Sequence, residues 1–188
     1  AADYTVIYHL SKNDADLDQG AISPINAFTG TNGQIIYVRM EENANPLTFG
    51  TISFQLFVNP LPTATISGSA TICSGSTAVI SFTGTANATL DYTVDGNAAQ
   101  IILSGAGTNT VTTPILTTTS VYSLVSVTNT TTTCSQPQTG TATITVNPLP
   151  QGSLTSNGPF CATGAGQLTW TATSGTGPYT VIYNDGVT

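Results

Sequence analysis

Along the middle of this chain, apolar side chains alternate with polar ones over short stretches, and nothing there recurs at helical spacing. Ala78, Ile80 and Phe82 fall on one face, as do Leu90, Tyr92 and Val94, and Ile144 with Val146. That period of two marks half-buried strands. Seven strands are predicted, at residues 64–67, 77–83, 89–94, 100–104, 108–112, 121–128 and 139–146. Short strands separated by Gly, Asn, Pro and Thr turns predict a two-sheet antiparallel sandwich. Further strands are predicted at 34–40 and 51–58, on the far side of a polar, acidic stretch.

The pattern repeats. Val-Asn-Pro-Leu-Pro stands at Val58 to Pro62 and again at Val146 to Pro150, 88 positions later. Tyr-Thr-Val begins at Tyr4, Tyr92 and Tyr179, with spacings of 88 and 87. A fixed period of this length marks an array of like domains. One complete unit is expected at 63–147, with the C-terminal part of a sandwich at 1–59 and the N-terminal part of another at 151–188. The linkers are then 60–62 and 148–150, from the repeated strings Asn59-Pro60-Leu61-Pro62 and Asn147-Pro148-Leu149-Pro150. Each proline fixes φ and biases the residue before it to extended backbone. The string therefore reads as a short, stiff connector, with Leu61 packed in the joint.

Composition sharpens this. Only 6% of residues are charged against 39% hydrophobic, and the net charge is −7. An ordinary globular chain is about a quarter charged, so Thr, Ser, Asn and Gly must carry the polar surface. Thr suits a strand and wets its outer face without a charge. With Lys12 and Arg39 as its only fixed cations, the chain lacks the basic footprint that nucleic acid requires. No apolar run approaches the ~20 residues of a membrane helix, so no membrane insertion is expected.

Three cysteines are present, Cys73, Cys134 and Cys161, and the last lies 88 residues after the first. The period makes Cys161 a copy of Cys73, with its own partner beyond residue 188. A Cys73–Cys134 bridge within the complete unit is expected, and its loop of about 60 residues would stabilise by roughly 4 kcal/mol. The competing reading is that the two cysteines lie at opposite ends of the sandwich, so that bridges run between domains. Lys12, the single lysine, leaves the complete unit without the amine of an internal isopeptide bond.

No catalytic motif is found, and an enzyme is not expected. His9 is the single histidine, without the partners of a triad or a His-based metal site, and is read as structural or surface. Asp14, Asp16 and Asp18 ahead of Gly20 are weak calcium candidates, because alternating carboxylates before a glycine suit a hard cation. The full loop signature is missing, with Ile25 where its last carboxylate belongs. The favoured reading is a short helix with Ser11 as N-cap and Gly20 at its end. No cofactor is otherwise expected.

Leu116, six residues before Tyr122, resembles the tyrosine corner of immunoglobulin-like and fibronectin type III domains. Trp170 falls 88 after Phe82 and is expected in a core. Val-Asn-Pro-Leu-Pro, Ile72-Cys73-Ser74-Gly75, Tyr92-Thr93-Val94-Asp95-Gly96 and Leu124-Val125-Ser126-Val127-Thr128 followed by Cys134 resemble the tandem immunoglobulin/PKD-like repeats of giant Bacteroidetes surface adhesins. They are nearest in pattern to the gliding-motility adhesins of flavobacteria. The first unit departs from that pattern, with Asn45-Pro46-Leu47 where a cysteine often precedes the last strand. The resemblance implies type IX secretion, an extracellular, outer-membrane-associated location, and partnership with the gliding machinery. Neighbouring repeats of the chain, and surface polysaccharide, are the other partners it suggests. A carbohydrate-binding array is the alternative, and it needs two or three coplanar exposed aromatic rings. Ice binding would need Thr at one fixed strand offset, whereas the Thr clusters here lie largely in loops.

Overall fold

The structure is a computed structural model that describes residues 3–159 and 164–184. Among these described residues the fold is all-β apart from one short helix and a 3-10 turn. Two compact units divide between Pro60 and Leu61.

The first unit holds β1 (Tyr4–His9), α1 (Lys12–Leu17), a 3-10 turn at Ile25–Ala27, β2 (Ile35–Glu42) and β3 (Asn45–Gln55). The strands form an antiparallel meander in the order β1-β2-β3. Ser11 caps α1 as expected, its Oγ accepting from the Asp14 N–H at 3.0 Å. The helix ends at Asp18, which takes the left-handed conformation at φ 51°, so Asp18 and not Gly20 provides the stop. Strand alternation divides the sheet into two faces. One carries His9 and Arg39 and receives α1, whose Ala15 is buried against it. The other carries Tyr8, Ile36 and Phe54, which with Ile22, Ile25 and Phe28 line an open apolar hollow of about 250 Å³. β3 starts earlier and stops sooner than the hydrophobic pattern suggests, so residues 56–60 belong to no strand.

The complete repeat is a two-sheet sandwich of nine strands: β4 (Ala64–Ser67), β5 (Ala70–Cys73), β6 (Val79–Gly84), β7 (Thr89–Val94), β8 (Asn97–Ile102), β9 (Thr108–Thr112), β10 (Ser120–Thr128), β11 (Ser135–Pro137) and β12 (Thr141–Asn147). One sheet runs β4-β6-β9. The other runs β5-β12-β10-β7-β8, with β11 also on β10. Two of the nine have a local cause. The first predicted strand continues past Gly68 and changes sheets there. Gly68 has φ +114°, and an added Cβ would strike the Val79 carbonyl, so only glycine permits the crossing. At the other side, β11 and β12 run in succession along β10, separated by a break around Gly140.

The core is drawn from residues between Ala64 and Ile144. Phe82 from one sheet meets Tyr92 from the other with ring centroids 4.9 Å apart, and Tyr92 stacks on Tyr122 at 6.5 Å. Leu124 and Val127 are both buried although three residues apart, because the β10–β7 register shifts between Leu124 and Ser126. Such a bulge inserts one extra residue and resets the inward phase. Tyr122 is a core residue rather than a corner tie. Among the described residues no hydrogen bond links its hydroxyl to the preceding loop.

β13 (Gln151–Ser156) and β14 (Leu168–Ser174) form a hairpin after the second Pro-Leu-Pro string. Leu154 pairs with Trp170, as Ile66 pairs with Phe82 in the complete repeat. Both positions are 88 residues on. Trp170 also meets Tyr179 at 5.1 Å, reproducing the Phe82–Tyr92 contact. Its ring is half-buried rather than enclosed as expected, because among the described residues only a hairpin and one coil surround it.

Candidate functional site

With no catalytic constellation in the sequence, the candidate site lies at the two ends of the complete repeat, where the linkers meet cysteines. Pro62 is fully buried. Its carbonyl accepts from Gln136 Nε2 at 2.6 Å, and the Ala64 N–H donates to Gln138 Oε1 at 3.2 Å. Both glutamines flank or lie in β11, just after Cys134. The incoming chain is therefore clamped beside Cys134, and Pro62 belongs to the sandwich rather than to a free connector. Leu61 itself is exposed. Cys134 itself closes a tight loop in which its carbonyl accepts from the Asn129 N–H at 2.9 Å.

Cys73 occupies the other end. It is the last residue of β5 and stands opposite Asn147 in the parallel β5–β12 register. The following Ser74 N–H donates to the Asn147 carbonyl at 2.8 Å. Asn147 is the residue from which the second linker departs.

These placements overturn the expected Cys73–Cys134 bridge. Cys73 lies past the Ser120 end of β10, and Cys134 lies past its Thr128 end. Nine residues of strand at ~3.3 Å each separate the ends by about 25 Å, whereas a disulphide needs Cα atoms within about 7 Å. Both thiols are free, Cys73 exposed and Cys134 half-buried. Strand directions could not be read beyond a simple alternation, which left the choice between the two pairings open. Cys161 lies outside the described residues.

The acidic stretch forms a capped helix. Asp14 accepts from the Ser11 hydroxyl at 2.7 Å, Asp16 pairs with Lys12 at 2.6 Å, and Asp18 lies 3.9 Å from His9 Nε2. Among the described residues no three His, Cys, Asp or Glu side chains converge to hold a metal ion. His9 is fully buried and structural, with Nδ1 2.9 Å from the Gln19 carbonyl oxygen.

The roles of three polar residues were missed in the sequence. Arg39 is buried and joins α1, β2 and the β2–β3 hairpin. Nη1 donates to the Ala15 and Asp16 carbonyls at 3.0 and 3.2 Å, Nη2 to the Pro46 carbonyl at 2.9 Å, and Nε to Glu41 at 2.8 Å. The one signal was a lone arginine inside an apolar strand. On the outer face of the complete repeat, Asp91 accepts from Gln100 and Ser126 on the flanking strands at 2.8 and 2.7 Å. The Gln100 bond, then the Ser126 bond, hold its carboxyl below the ordinary range. Asp95 ties the β7–β8 turn to β10, accepting from the Ser120 hydroxyl and the Val121 N–H.

The two ends define a class: a tandem β-sandwich repeat whose cysteines sit beside the points where the chain arrives and leaves. Residues 1–62 match the family described as the Flavobacterium inter-domain disulphide bond domain. That matched segment contains no cysteine of its own. No curated protein matches the chain. A solved structure described as a Ca²⁺-stabilized adhesin that helps an Antarctic bacterium reach out and bind ice is similar at 17% identity and a TM-score of 0.46. The match covers 93% of this chain and 50% of that one, so the chain spans half its length. Among the described residues no helix is long and apolar enough to cross a membrane.

Proposed function

We propose that this chain is a run of structural repeats in an extracellular cell-surface adhesin filament serving gliding motility and surface attachment. In this reading, disulphides join each repeat to the next. The observation that carries it is the placement of Cys73 beside the departing linker and Cys134 beside the arriving one. Cys73 of one repeat and the Cys134 copy of the next then flank the same Pro-Leu-Pro linker. Their thiols lose two protons and two electrons to a disulphide donor, which is reduced to a dithiol. Residues 1–62 match a family described by an inter-domain disulphide but carry no cysteine, so the pairing rests on the geometry of the complete repeat. The resemblance of the repeats to gliding adhesins supports the outer-membrane-associated location, type IX secretion and the gliding machinery as partner. A sugar-stacking array finds less support. The complete repeat has three aromatic rings, Phe82, Tyr92 and Tyr122, and all are buried.

The core of the complete repeat is self-contained, so two copies of residues 61–148 in tandem, which restore one Val-Asn-Pro-Leu-Pro string at the joint, make the test. Only Cys73 of the first copy and Cys134 of the second are kept. After exposure to a disulphide donor, thiol titration in denaturant is expected to find neither free, on a monomeric chain. Two free thiols, or linkage only between separate molecules, would sink the pairing. In the producing bacterium, deleting the chain is expected to stop gliding, and undiminished gliding would remove the motility assignment.

A further inference from the structure

Between a linker at one end of the complete repeat and a cysteine at the other, the chain makes a single extended pass, and there are two such passes. From Pro62 the backbone runs through β4 and β5 to Cys73, twelve residues in all, extended except at the Gly68 crossing. From Cys134 it runs through β11 and β12 to Asn147, fourteen residues in all, along β10 in one direction. The two passes lie side by side. β5 pairs in parallel with β12, and Cys73 stands opposite Asn147 where both leave the sandwich. At the other end Gln136, two residues after Cys134, binds the Pro62 carbonyl. The sixty residues between Cys73 and Cys134 lie on neither pass.

Resting on the inter-repeat bridges proposed above, we infer that these two passes are the tension-bearing rails of the filament and that the sandwich core lies outside the load path. Tension arriving through a linker enters at Pro62 and leaves through the Cys73 bridge. Tension arriving through a bridge enters at Cys134 and leaves through Asn147. Neither route passes through β6 to β10. A strand rises ~3.3 Å per residue, and a fully extended chain gains little beyond that. The rails are thus nearly taut in the folded state. Pulling has almost no slack to release, and unfolding the core does not lengthen the filament. Without the bridges, the only covalent route across a repeat is the whole chain from Pro62 to Asn147, and unfolding would release most of its extended length.

Single-molecule stretching of the same two-copy array separates these cases. Reduced, the two repeats are expected to unfold in steps that total roughly 500 Å, each of some 86 residues giving up to ~3.5 Å per residue less its folded span. Oxidised, the covalent route is one rail of each copy, 26 residues in all, and the expected release is under about 20 Å. A release near 80 Å would mean that the rails double back on themselves, which overturns the inference while the bridge stands. A release near 500 Å after oxidation would mean that no bridge formed, and both readings fall.

Discussion

Replacing Phe82 by alanine is expected to destabilise the complete repeat by about 3–5 kcal/mol, the usual cost of emptying a buried aromatic site. Its ring is fully buried at the centre of β6, paired to Ile66 and Asn109 on either side and set 4.9 Å from Tyr92 across the sandwich. With Tyr92 stacked on Tyr122, the three rings form one column through the core. Truncation removes the ring that joins the small sheet to the large one. A domain of this size holds only about 5–15 kcal/mol in total, so the variant retains little margin. Urea unfolding read by peptide-resolved amide hydrogen exchange gives the measurement. Trp170→Ala supplies the contrast at the equivalent position. Its ring is half-buried between a hairpin and Tyr179, so the loss there is expected to be much smaller. Equal losses at the two positions would contradict the account of the core.

What could be read in the sequence was whatever repeats or alternates. The strands of the complete repeat follow from alternation at Ile80 and Phe82, at Leu90 and Tyr92, and at Ile144. The spacing of 88 made Trp170 the counterpart of Phe82, and the two stand at equivalent registers, opposite Leu154 and Ile66. The capped helix at Lys12–Leu17 was legible too, because an N-cap serine acts within a few residues of itself. Features set by partners distant in sequence were not legible. Gly68 reads as an ordinary turn glycine until Val79 is seen against it. β11 is three residues long and exists because β10 is there to pair with it. The cysteines were visible at once, but their pairing depends on which way β5 and β12 run past β10. Strand direction leaves no local mark on composition or period.

The first unit and the complete repeat differ in what lies on the outer face of their sheets. In the complete repeat, that face is a polar lattice in which Asp91 links three strands. In the first unit it carries a helix, and the sheet must hold that helix without a wide apolar contact. Arg39 supplies the hold. Its guanidinium spends its donors on backbone carbonyls of α1 and of the β2–β3 hairpin, and lies 3.6 Å over the Phe49 ring. A planar fork with five donors can do this, and an ammonium cannot.

Arg39→Met is therefore expected to cost the first unit about 3–5 kcal/mol, the range for breaking a buried pair by removing one partner. The loss has two sources. Glu41, whose side chain is 12% exposed, would keep a charge with no counter-ion. The Ala15, Asp16 and Pro46 carbonyls would lose their donor, each at a cost set by how much water can replace it. Arg39→Lys restores the charge but not the fork, and should recover only part of the loss. Arg39→Met combined with Glu41→Gln removes the stranded charge and should be more stable than Arg39→Met alone, a coupling that additive effects would not produce. The unit has no tryptophan, so amide hydrogen exchange read peptide by peptide is the suitable probe. Protection is expected to fall across α1, β2 and the β2–β3 hairpin, and to stay unchanged in the complete repeat. Wild-type protection of α1 in Arg39→Met would mean that the helix is held by Ala15 and its cap alone.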